Sequence, residues 1–257
     1  VQARGLIFAT VIYLCIRRLA ANPFFTNVSN PENMASTEVM VPLLLTLKVA
    51  GWATLFATAF GVLVAYAVAR FRFPGRDLLD AAMLLPMVMP PTVLGYYILV
   101  LVGRRGPIGA WLDSTFGITL IFTWQGAVIA SAIVAFPLVF KAATTAFEGV
   151  DPQYEQAARV LGKSEWAVFV RVTLPLAWRG ILAGSMLGFA RALGEFGATL
   201  MVAGNIPGRT QTLSIAIYDA VEAGRDEMAN FLVIVTSVVC ITILVASGKL
   251  LKPRYAG

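Results

Sequence analysis

Five stretches of this chain, roughly residues 41–69, 78–102, 118–140, 181–203 and 228–247, are apolar almost without interruption. No other feature limits its fold so strongly. A helix crosses the hydrocarbon core of a bilayer with about 20 apolar residues. Runs of this length predict an all-α transmembrane bundle. Composition agrees: 13% of residues are charged, against about 25% in soluble domains, and mean hydropathy is +0.78.

Charge placement predicts orientation. Arg70, Arg72, Arg76, Lys141, Arg159, Lys163, Arg171, Arg179, Lys249, Lys252 and Arg254 fall on one side of the expected spans, while Arg104, Arg105, Arg209 and Arg225 fall on the other. Cytoplasmic loops retain Lys and Arg, so the first set and the C-terminus are expected in the cytoplasm of a multi-pass plasma (inner) membrane protein. Lys48, in the first run, lies near enough to one end to snorkel. The net charge of +6 needs no nucleic-acid partner, because no basic block interleaved with aromatics is present. Histidine is absent, which removes the commonest general base and metal ligand. Cys15 and Cys240 sit in apolar runs and read as packing residues.

The N-terminus has two readings. "LIFATVIYLCI" lies between Arg4 and the pair Arg17–Arg18. It is short for a span, and crossing there would put the pair outside. Residues 1–33 are thus either a first helix, giving six spans, or an extension ahead of a five-span unit over 34–257, with Met34 a plausible start. A cleaved signal peptide is not expected: arginines flank the run, and no small-residue cleavage site stands clear of them.

The loop of about 148–179 is a long polar insertion between two apolar runs. Asp151 is an expected N-cap and Pro152 a first helical residue. Tyr154, Ala157, Ala158 and Leu161 then recur on one face, with Glu155, Gln156 and Arg159 directed elsewhere, toward water or a partner. Gly162 ends that helix, and Ser164 caps a second one. The second carries Trp166, Phe169, Val170 and Thr173 as a stripe, and Pro175 is expected to stop it.

The spacing inside this loop resembles the EAA loop of ABC-importer permeases: Glu-Ala-Ala, three residues, Gly, nine residues, Ile-x-Leu-Pro. Here Gln156-Ala157-Ala158, Gly162 and Val172-Thr173-Leu174-Pro175 fall at those positions, with Gln for the leading Glu and Val for Ile. "GRRGPIG" (103–109), "FTWQGAVIASAIVAFPL" (122–138), "FEGVD" (147–151) and "FARALGEFGATLMVAGNIPGRTQTL" (189–213) are similar to molybdate permease subunits of ABC importers, whose close relatives carry sulfate and thiosulfate. The likeness covers roughly residues 40–250. It implies a bundle of five to six spans with a cytoplasmic coupling helix seated in an ATPase groove. Tyr154, Glu155, Gln156, Ala157, Ala158, Arg159, Leu161, Gly162, Leu174 and Pro175 would form that coupling loop. It also implies a second copy of this chain, two cytoplasmic ABC ATPase subunits and an extracytoplasmic oxyanion-binding protein as partners. ATP and Mg would sit on the ATPases, with no cofactor on this chain. Consistent with that division, no GxxxxGK[ST] loop occurs.

Arg191 and Glu195 lie within the fourth run, four residues apart and able to pair. Each would cost about 2.5–3.5 kcal/mol facing lipid alone. Gly188, Gly184 and Gly180 continue the same stripe, where a neighbouring helix can approach closely. A buried ion pair in a tight seam and a gate residue both fit, the former better, because Glu195 beside an anion route needs neutralising. Arg104, Arg105 and Arg209 lie on the outer side, where they would attract a dianion or an acidic docking face or simply be solvated. Pro86, Pro90 and Pro91 interrupt the second run, either lining a pathway or introducing a kink. An ion-coupled secondary transporter or channel is the alternative of another class. It calls for further titratable groups inside the membrane. An intramembrane enzyme calls for a nucleophile–base set that the spans lack.

Overall fold

The computed structural model describes residues 38–71 and 73–251. The run Leu6–Ile16, and with it the choice between five and six spans, lies outside them, as do Arg72, Lys252 and Arg254. The architecture is helical, as the apolar runs require. Its elements are α1 (Met40–Arg70), α2 (Arg76–Val88), α3 (Pro91–Val102), α4 (Pro107–Phe116), α5 (Trp124–Glu148) and α6 (Pro152–Val160). There follow α7 (Glu165–Val168), a π-helical turn (Phe169–Thr173), α8 (Leu174–Leu193), α9 (Gly197–Ala203), α10 (Leu213–Glu222) and α11 (Asp226–Leu251). Among the described residues four helical segments are long and apolar enough to cross a membrane, and a bent pair makes a fifth.

Helices α1, α5 and α8 form the centre of the bundle. Their shared core is built from small residues, with Ala50, Ala53 and Ala57 of α1 against Ala127, Ala135 and Val139 of α5 and Ala192 of α8. Many of the large apolar side chains of α1, among them Leu44, Leu55, Phe56, Phe60 and Leu63, point outward, while Leu43, Val49 and Val68 are buried. This is the arrangement expected in lipid, where no hydrophobic force drives large side chains inward and close backbone approach supplies the packing. The glycine stripe is that seam. A Cβ on Gly180 would lie 2.5 Å from the Ala146 Cβ, one on Gly184 2.5 Å from the Ala142 Cβ, and one on Gly188 2.7 Å from Val139. Lys48, in the third turn of α1, places its Nζ 3.7 Å from the centre of the Trp124 ring.

Three expected spans differ from what forms. The second is not one helix: α2 and α3 meet at a 110° bend. The break falls at Met89–Pro90–Pro91, while Pro86 is carried inside α2. A residue before proline is pushed out of the α region, and here two in succession are: Met89 has ψ 141° and Pro90 ψ 136°. The third begins at Trp124, because Phe122 is held at φ 57° with its N–H on the Val202 carbonyl and Thr123 caps the Gly126 N–H. It also runs on past Lys141 to Glu148, where α2 supplies partners for its charges, Asp80 for Lys141 at 3.2 Å and Arg76 for Glu148 at 2.7 Å. The fourth breaks after Leu193 and resumes at Gly197.

Candidate functional site: a polar loop and a broken span

Helix α6 forms as its caps dictate. The Asp151 side chain accepts the Gln153 N–H at 2.9 Å, and Pro152 occupies the first turn. At the other end the Gly162 N–H reaches the Arg159 carbonyl and the Lys163 N–H the Ala158 carbonyl. That is the paired closure of a Schellman motif, and it needs Gly162 at φ 72°. Ser164 then caps the Ala167 N–H.

The outward face carries Tyr154, Ala157 and Leu161, the last 77% exposed, with Val160 and Gln156 alongside. Ala158 is half-buried. Exposed apolar groups gathered on a polar helix mark a contact surface, and Trp166 extends this one.

Glu155 departs from expectation. It does not face water: it is 3% exposed and is the buried residue of α6. Its Oε1 accepts from Arg70 Nη2 at 2.6 Å and from Thr173 Oγ1 at 2.7 Å. Arg159 Nη2 stands 3.7 Å from its Oε2 and Arg159 also binds Glu165 through two hydrogen bonds, at 2.7 and 3.0 Å. The bond to Glu165 pushes the Arg159 guanidinium pKa up from its ordinary value. Arg70 was legible only as a cytoplasmic charge. Nothing local in the sequence pairs it with a carboxylate 85 positions away.

The second loop helix is also corrected. Pro175 does not stop it. Residues Glu165–Leu193 form one helical segment long enough to span, with Pro175 in the first turn of α8. A proline removes one ladder bond and crowds the carbonyl four residues back. The turn before it is widened into the π form, which takes up that conflict. The expected stripe therefore divides: Phe169 and Thr173 are buried, while Trp166 and Val170 are exposed. Leu174 packs half-buried beside the cluster containing Phe169.

The fourth run breaks after Leu193. Gly194, Glu195 and Phe196 leave the helix, and α9 starts at Gly197. Arg191 and Glu195 do pair, Nη1 to Oε2 at 2.8 Å, with the carboxylate buried and the guanidinium 37% exposed. The other oxygen of Glu195 accepts the Ala198 N–H at 3.0 Å. Glu195 therefore serves twice, as counter-ion and as acceptor for one of the free N–H groups that begin α9.

The structure also brings together two interruptions that sequence reading kept apart. A Cβ on Gly197 would lie 3.0 Å from the Pro91 Cβ, and one on Gly95 would lie 2.7 Å from the Met201 Cβ. The proline turn and the α8–α9 break thus meet face to face. Non-helical backbone at membrane depth is tolerated where protein covers it or a cavity wets it. Arg104 and Arg105, between α3 and α4, and Arg209, between α9 and α10, are exposed and form no ion pair among the described residues.

Comparison with known proteins narrows the reading. The model of a family described as binding-protein-dependent transport system inner membrane component matches residues 57–257. The molybdenum transport system permease protein ModB of Escherichia coli (strain K12) is 47% identical over 79% of this chain and 90% of its own length. A putative molybdenum transport system permease protein, YvgM of Bacillus subtilis (strain 168), is 45% identical over 77% of this chain and 88% of its own. The sulfate transport system permease protein CysT of E. coli (strain K12) is 39% identical over 74% of this chain and 66% of its own. Among solved structures, the inward-facing MetNI methionine ABC transporter gives a TM-score of 0.65 at 14% identity, covering 87% of this chain and 98% of that one. A bacterial alginate ABC transporter, solved in complex with its pentasaccharide-bound periplasmic protein, gives 0.68 at 16%, covering 96% and 92%. With the helical bundle, the capped polar loop and the family match in agreement, this chain belongs to the inner membrane components of binding-protein-dependent transport systems, the permease family of ABC importers.

Proposed function

We propose that this chain is the membrane subunit of an ATP-driven importer whose cargo is molybdate. It would act as a homodimer, with two ATPase subunits on the cytoplasmic side carrying ATP and Mg, and a binding protein delivering the oxyanion outside. The loop and the C-terminus then face the cytoplasm. Family membership makes it a transport subunit and not itself an enzyme.

The observation that carries the mechanism is the two-sidedness of α6. One face is anchored inward through Glu155. The other presents Tyr154, Ala157 and Leu161 to a partner, with a small residue at its centre where a surface can approach the backbone. The cargo reading is supported by the molybdenum permeases being nearer in identity than the sulfate permease. Sulfate remains the second reading because that relative is still 39% identical and the two dianions share charge and shape. Tungstate is a third tetrahedral dianion, with the same charge.

Labelled molybdate uptake, with and without the chain, tests this. Uptake is expected to disappear on deletion and to withstand excess sulfate. Competition by sulfate that abolishes it would reassign the cargo, and competition by tungstate alone would leave those two to be separated by affinity.

A second prediction addresses the loop. Ala157→Trp adds bulk to an exposed position, so the chain's own stability should move by no more than about 0.5 kcal/mol. Uptake should nevertheless fall by about tenfold or more, the scale of about 1.4 kcal/mol in a seated contact, while membrane insertion is unchanged. Normal uptake by this variant would remove α6 from the ATPase contact.

A further inference from the structure

We propose that Glu155 is a positioning residue that carries displacement of α6 to two membrane spans at once, α1 through Arg70 and α8 through Thr173. The inference rests on the reading of α6 as the helix that meets the ATPase.

Three observations support it. First, α6 is attached to the bundle by little else. Glu155 is the buried residue of its nine, so apolar packing holds it weakly, and its two chain connections run through Gly149 and Gly162. Second, Arg70 and Glu155 stand 85 positions apart in the chain. Their contact gives a push on α6 a direct route to the end of α1, beside the longer one through α5, which packs on α1 and leads into α6. Third, the other donor to the same oxygen, Thr173, closes the π turn that opens onto α8. Such turns inside helices are frequent at functional sites.

The contact is built to shift as well as to hold. Charge-assisted bonds of this length are among the strong ones, yet Arg70 meets Glu155 through one nitrogen, and its buried Nε has no hydrogen-bond partner among the described residues. Arg159, between Glu155 and Glu165, ties the same carboxylate to the head of α7. One turn before Arg70, the Tyr66 ring lies 4.5 Å from that of Phe169 in the π turn, so the two spans already touch beside the bridge.

The test uses the assembled transporter in proteoliposomes, with its ATPase subunits and binding protein, and counts molybdate delivered per ATP hydrolysed. Glu155→Gln should lower that ratio by about fivefold or more, the lower end of typical site–site coupling. Thr173→Val should lower it less. Arg70→Met with Glu155→Met removes both charges, so assembly should recover relative to either single change while the ratio stays low. A role in stability alone predicts the opposite, a ratio that recovers with assembly. A wild-type ratio in Glu155→Gln, or in the double variant, overturns the proposal.

A second readout does not depend on cargo: the distance between spin labels at Phe73 and Lys163 with and without ATP. In the wild type the two should move as one body and keep their separation. In Glu155→Gln the separation should change on ATP binding. If both proteins keep one separation, the bridge transmits nothing. If molybdate is the wrong cargo, the delivery ratio is silent for wild type and variants alike, and the label distance still decides.

Discussion

Arg191→Leu is expected to lower the stability of the chain by about 3 kcal/mol, the lower end of what breaking a buried pair costs. The lower end applies because the guanidinium is 37% exposed, whereas the Glu195 carboxylate has no such outlet. The informative comparison is with Arg191→Leu plus Glu195→Gln. A glutamine keeps an oxygen for the Ala198 N–H and carries no charge that needs a partner. The double variant should therefore recover more than half of the loss. Thermal unfolding of the detergent-purified chains, followed by tryptophan fluorescence, measures both. Equal damage from the single and double changes would show that the pair is not what holds the α8–α9 break.

Gly184→Leu should leave no folded chain at all. A Cβ there already meets the Ala142 Cβ at 2.5 Å, nearer than carbon atoms approach, so the side chain cannot enter without driving α8 away from α5. Even Gly184→Ala overpacks the seam, at a cost of about 1–3 kcal/mol. Gly184→Ala combined with Ala142→Gly moves the methyl group from one helix to the other, so most of that loss should return. Size-exclusion profiles read the first result and melting temperatures the second. Full stability of Gly184→Ala would mean that the two helices are not in contact at this point.

Much of the fold was legible because a membrane imposes a rule that local sequence can reveal. Length and apolarity were sufficient for α1 and α11. The caps of α6 could be read from Asp151, Pro152 and Gly162, since a cap depends on a few adjacent residues. The glycine stripe of α8 announced a close neighbour without naming α5. Boundaries were less legible. Lys141 looked like a span's end, yet Asp80 of another helix neutralises it and α5 continues. Pro175 looked like a stop, yet the widened turn ahead of it lets the helix run through.

That the chain is a bundle of spanning helices, that its long polar loop begins as a capped helix, and which permeases it resembles could all be read before folding, because hydropathy, capping and spacing are properties of neighbouring residues. It took the folded chain to turn Glu155 inward onto Arg70 and Thr173 and to set the Pro90–Pro91 turn against the break at Gly194–Phe196. Those arrangements join residues far apart in the chain. Whether a charge faces water or another charge is settled by what the folded backbone places beside it.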